Sequence, residues 1–214
     1  MAGSETIQYK VREHRLPVSD FWRLLLSAFV FGLLVACTST VTCPANLDDP
    51  RPVFLLDHGR HASLVITSAE GELFRYGYGD WRYYAETDLR LRTGVRALLW
   101  PTPAGLARQS YGDIEPETEV LVNAVGVPID EPHKLMVSGA AVDALRRDLD
   151  RTFERGAEQE YLVNRSFDFN FVPHPRDYWF WYSSNHMVVD WLDALDCESR
   201  GFTALTMHYR VETD

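Results

Sequence analysis

The chain has 214 residues, of which 46% are hydrophobic and 13% aromatic, ample material for one packed domain and too apolar for a disordered or fibrous protein. Its 21 Lys and Arg stand against 31 Asp and Glu, a formal charge of -10 that repels phosphate backbones and argues against nucleic-acid binding. Three cysteines make no disulfide framework, and without a C-x-x-C pair they suggest neither a zinc ribbon nor a thioredoxin-like centre.

Residues 1–36 differ in kind from the rest. Lys10, Arg12, Arg15 and Arg23 precede an uncharged apolar run from Leu24 to Ala36, which has the length of a signal h-region and is short for a membrane span. The run ends in Leu34-Val35-Ala36-Cys37, which resembles the bacterial lipobox. That resemblance implies acylation of Cys37, removal of 1–36 and a membrane-anchored lipoprotein of the bacterial cell envelope facing the periplasm. The alternative is an uncleaved single anchor continuing through Thr38 to Val41. With Cys37 acylated, Cys43 and Cys197 remain as a candidate disulfide, or as two unpaired thiols.

Residues 37–51 read as a polar tether and 52–214 as one α+β domain. Val53–Leu56, Ser63–Thr67 and Leu73–Tyr78 have the character of strands, and Trp81 to Thr87 of a short helix. Val95–Trp100, Glu119–Val125 and Lys134–Val137 are further β-rich stretches. Ser138 can cap a helix whose apolar face is Val142, Leu145, Leu149 and Phe153 and which stops near Gly156. Phe167, Phe169 and Phe171 alternate with polar residues and predict an extended segment. Tyr178 to Tyr182 is a run of five aromatics, which either line a groove suited to an acyl chain or sugar, face a bilayer, or form a two-sided core strand. A last helix runs from about Asn185 to Asp196, with Ser183 or Ser184 at its start.

Two motifs carry a family resemblance. Asp57-His58-Gly59-Arg60-His61-Ala62-Ser63-Leu64-Val65-Ile66 and Phe74-Arg75-Tyr76-Gly77-Tyr78-Gly79-Asp80 resemble an uncharacterised bacterial envelope family. That family is similar to circularly permuted papain-like domains of the NlpC type and to lecithin:retinol acyltransferase, whose histidine strand precedes the cysteine helix. The resemblance implies a central antiparallel sheet with packed helices, and His61 facing the helix that opens near Tyr182-Ser183-Ser184-Asn185-His186. Ser184 stands where the family has its nucleophilic cysteine, and neighbouring registers offer Asn185 or His186. A thiolate gains from a helix N-terminus, whereas a serine needs a histidine base held by a third group.

The resemblance therefore implies a scaffold whose degenerate site serves binding or assembly. Its alternative is a serine-type hydrolase or acyltransferase acting on an envelope amide or ester through Ser184, His61 and Asp80, with Tyr76 as a second candidate to orient His61. Asn185, His186, Trp81 and Trp181 are the candidate ligand contacts, and an envelope small molecule, lipid or peptide is the expected partner. No cofactor is expected. The spacing His58-x-x-His61 suits a metal only if a turn at Gly59 unites the pair, and no H-E-x-x-H or cysteine set supports one.

Overall fold

The structure is a computed structural model that describes residues 38–206 and 208–213, so the signal segment, the lipobox and Cys37 lie outside the described residues. It is an α+β architecture on a seven-stranded antiparallel sheet, ordered β6-β2-β3-β4-β5-β8-β7. The strands are β2 (Pro50–Asp57), β3 (Ala62–Thr67), β4 (Leu73–Asp80), β5 (Thr102–Gly112), β6 (Glu131–Ser138), β7 (Leu162–Asn164) and β8 (Phe169–Tyr178). A second, three-stranded sheet holds β1 (Thr38–Cys43) between β9 (Glu198–Arg200) and β10 (His208–Thr213), with β1 and β10 parallel. Thr38–Cys43, part of the stretch that reads as a tether, is thus built into the domain, and Cys43 is disulfide-bonded to Cys197.

The helices are α1 (Leu91–Leu99), α2 (Thr118–Ala124), α3 (Gly139–Ala157) and α4 (Ser184–Asp193). Val142, Leu145, Leu149 and Phe153 of α3 and Met187, Val188, Trp191 and Leu192 of α4 are buried in one core with Leu55, Leu64, Ile66, Tyr76 and Leu106. Each strand alternates its side chains between faces. Phe54, Leu56 and Val65 accordingly meet Leu121 and Val125 in a second cluster, and Trp81, Ala85, Phe169 and Phe171 form a third.

Two segments with strand-like composition are helical instead. In Val95–Trp100 the deciding residues are Thr93 and Ala97, small side chains four apart that alone in α1 are buried. In Glu119–Val125 the pair is Leu121 and Val125, again four apart, both pressed on the sheet. The long strand β5 has a weak sequence signal because Ala104, Gly105 and Ala107 are small. Their size has a cause, since a Cβ at Gly105 would stand 3.1 Å from Phe171 and 3.2 Å from Trp81.

Candidate functional site

The loop between β2 and β3 shapes the site. Asp57, fully buried at the end of β2, accepts a hydrogen bond from the Gly59 amide at 2.7 Å. Gly59 has φ +81°, and a Cβ there would lie 2.8 Å from an Asp130 carboxylate oxygen. Only glycine adopts that turn without strain. The His58 amide donates to the His61 carbonyl at 2.9 Å, which closes the loop and turns both imidazoles toward one cavity.

The cavity has a volume of about 300 Å³, at the small end for ligand pockets, and its lining includes His58, His61, Arg75, Tyr84, Phe167 and Phe169. Gly77 leaves it room, since a Cβ there would come within 2.9 Å of the Phe169 ring. At its floor Arg75, only 2% exposed, lies over the Phe169 ring with its guanidinium carbon 4.1 Å from the centroid. Arg75 Nε donates to Ser63 Oγ at 3.0 Å and Nη2 to His58 Nε2 at 3.2 Å. Its Nη1 makes no hydrogen bond and stands 3.9 Å from Asp168 Oδ2.

The tautomer of His58 follows from its partners. The Pro128 carbonyl, 2.6 Å from Nδ1, can only accept, so Nδ1 carries the proton and Nε2 accepts from Ser63 Oγ at 3.0 Å. Serine, imidazole and a carbonyl orienter are thus in line, as in a nucleophilic dyad. The electrostatics oppose that use. Burial first, and the Arg75 charge second, push His58 down to about 4. An imidazolium formed by proton transfer would face a guanidinium at 3.2 Å. His61 is also lowered to about 4, by burial and then by His58 and Arg60, and its ring is held edge-on by the Tyr84 hydroxyl, 2.6 Å from Nδ1. Both rings are neutral near pH 7 and act as hydrogen-bonding groups rather than charges.

Ser184, 2% exposed, opens α4 beside the buried Tyr178 hydroxyl. The cap of that helix is Ser183: its hydroxyl lies 3.0 Å from His186 Nδ1, and its amide donates to the same nitrogen at 3.3 Å. Asp80 caps the turn Trp81–Ala85 by accepting from the Tyr83 amide at 2.7 Å, and its other oxygen accepts from Thr102 Oγ1 at 2.6 Å. Among the described residues no hydrogen bond joins Ser184, His61 and Asp80. Ser63, Arg75 and Gly77 line the cavity with His61, Leu64 and Tyr76 are buried in the core that holds α4, and Ala62 and Tyr78 belong to both. Tyr76 itself donates to Asp150 at 2.7 Å.

No family model matches the chain, and no curated protein or solved structure matches it. The site therefore stands on its own geometry.

The other sequence candidates are dispersed. Asn185 is buried and donates to the Thr206 carbonyl at 2.8 Å. Trp81 is packed behind the cavity wall with Phe169 and Phe171, and Trp181 is on the surface. The turn at Gly59 does bring His58 and His61 to one cavity, yet among the described residues no three His, Cys, Asp or Glu side chains gather as a metal site. The residues that sequence reading passes over are Ser63, Arg75 and Tyr84. Arg75 carries a readable signal: an arginine inside Leu73-Phe74-Arg75-Tyr76, an otherwise core-forming strand, needs a buried counterpart.

Proposed function

We propose that this chain is a membrane-anchored envelope protein whose domain binds a small, largely apolar ligand. The apolar body of the ligand sits against Phe167, Phe169 and Phe171 and its polar end meets His58, His61 and Tyr84. The cavity at the β2–β3 loop carries this reading, because apolar walls with a few convergent polar groups are what a ligand pocket needs. The low basicity of His58 and the nearby guanidinium favour binding over nucleophilic catalysis. Support for a permuted papain-like scaffold is the chain order: His61 precedes the central strand β3, and Ser184 opens a later helix that packs on β3 and β4. Attachment to the membrane rests on the sequence of residues 24–37, since among the described residues no helix is long and apolar enough to cross a membrane.

A mid-length fatty acid titrated calorimetrically into the protein tests the reading. Ser166 is exposed and lines the cavity, so Ser166→Trp should plug it and abolish binding, whereas Ser184→Ala should leave binding intact. Binding that survives Ser166→Trp would dismiss the cavity. Covalent labelling of Ser184 by a serine-directed phosphonate would restore the hydrolase reading.

A further inference from the structure

Helix α1 is amphipathic in the wrong sense for its own domain. At about 100° per residue, Leu91, Val95, Leu98 and Leu99 fall on one side, and the buried Thr93 and Ala97 on the opposite side. The apolar stripe therefore points away from the core: Leu91 is 83% exposed and Leu99 61%. Trp100, 59% exposed, extends it, and Trp181, 57% exposed, is brought alongside because the Phe180 amide donates to the Leu98 carbonyl at 3.0 Å. Exposed leucines with two tryptophans form a patch that water disfavours.

The charge beside the stripe is positive in an acidic protein. Arg92 and Arg96 project from the same helix, both exposed, and among the described residues neither has an ion pair, whereas Arg82 and Arg90 are paired with Asp88. Leucine and tryptophan flanked by unpaired arginines is the pattern of an interfacial helix, with rings at headgroup depth and guanidinium groups on lipid phosphates.

Position in the fold agrees. The end of β2, the start of β3, the end of β4, the start of β5 and the end of β8 lie at one end of the large sheet. Helix α1 runs into β5 there, and Trp181 follows β8 there. The first described residue, Thr38, pairs with His208, whose neighbour Tyr209 donates its amide to Asp57 at the end of β2, so β1 begins at that same end.

We propose that α1, Trp100 and Trp181 form a docking face for an anionic bilayer surface, which sets the domain with the β2–β3 loop end toward the lipid. The charge and apolarity of the face stand alone, and its placement beside the chain's membrane attachment rests on the envelope-anchored reading.

The test reconstitutes the full chain with vesicles of phosphatidylglycerol and phosphatidylcholine, or of phosphatidylcholine alone, and reads tryptophan quenching by brominated acyl chains. Quenching should be stronger with phosphatidylglycerol, should weaken with salt, and should fall by at least half in Trp100→Phe/Trp181→Phe and in Leu91→Asp/Leu98→Asp. Arg92→Gln/Arg96→Gln should remove the difference between the two lipids. All six substituted positions are exposed, and an unchanged far-ultraviolet circular dichroism spectrum confirms folding. All variants should still co-sediment with vesicles if residues 1–37 provide the attachment. Co-sedimentation with quenching indifferent to these substitutions overturns the docking face alone. A wild-type chain that does not sediment with either vesicle overturns both readings. A lipid-free dimer that dissociates in Leu91→Asp, with no quenching in lipid, assigns the face to a second copy and overturns the proposal.

Discussion

Acidification perturbs the cavity through groups whose sign is fixed by burial. His58 and His61 sit at about 4 in the fold against about 6.5 in an unfolded chain. Between those values the unfolded chain holds protons that the folded one refuses, so the free energy of unfolding falls as pH falls from 6.5 toward 4. From pH 7.5 to 5 each ring with a pKa of about 4 contributes a loss of about 2 kcal/mol, and the pair somewhat less than twice that, because the part of the His61 depression that comes from a charged His58 is absent while His58 is still neutral. His174 and His186, both lowered by burial, add in the same direction. Asp57, raised by burial, works the other way and offsets part of the loss, since it takes its proton at higher pH in the fold than in the unfolded chain. Urea unfolding at the two pH values measures the total, and the same pair of measurements on His58→Gln/His61→Gln should show less than half of it. Equal stability of the wild type at pH 7.5 and 5, or His58 and His61 Cε1 proton resonances that titrate near 6.5, would refute the account of two buried neutral rings.

Three further outcomes follow from the same contacts. Arg75→Met removes the charge 3.2 Å from His58 Nε2, so the His58 pKa should move up toward its ordinary value, read by NMR titration against the wild type. Opening the Cys43–Cys197 bridge, which spans 154 residues, should cost about 5 kcal/mol in the chain-entropy model, seen as a lower urea midpoint in Cys43→Ser/Cys197→Ser. Gly59→Ala should destabilise by about 1 to 3 kcal/mol, because alanine must take φ +81° and its methyl meets Asp130; a thermal midpoint unchanged from the wild type would show that the turn is free to relax.

The amino-acid sequence determines the elements whose burial is periodic. The face Val142, Leu145, Leu149 and Phe153 reads directly as a helix, and Phe169-x-Phe171 as an extended segment, because spacing along the chain fixes which side chains share a face; Phe167, which the same alternation places in that segment, instead lies in the turn before β8, where Asp168 has φ +52°. The unusual residues are legible too. A histidine pair around Gly59 and an arginine inside an apolar strand mark the cavity, although nothing in the linear order says that they meet. Tertiary structure decides the rest. Whether Leu91 to Leu99 is strand or helix depends on Thr93 and Ala97 finding a surface to pack on, and the stripe that looks like core in sequence turns outward because those two small residues take the inner face. Likewise Ser184, His61 and Asp80 have the residue types of a triad in suitable chain order. Hydrogen bonds to Tyr84, Tyr83 and Thr102 commit two of them elsewhere: the bond from Tyr83 to Asp80 is a local cap, whereas Tyr84 and Thr102 are brought to His61 and Asp80 by packing and strand register between separate segments.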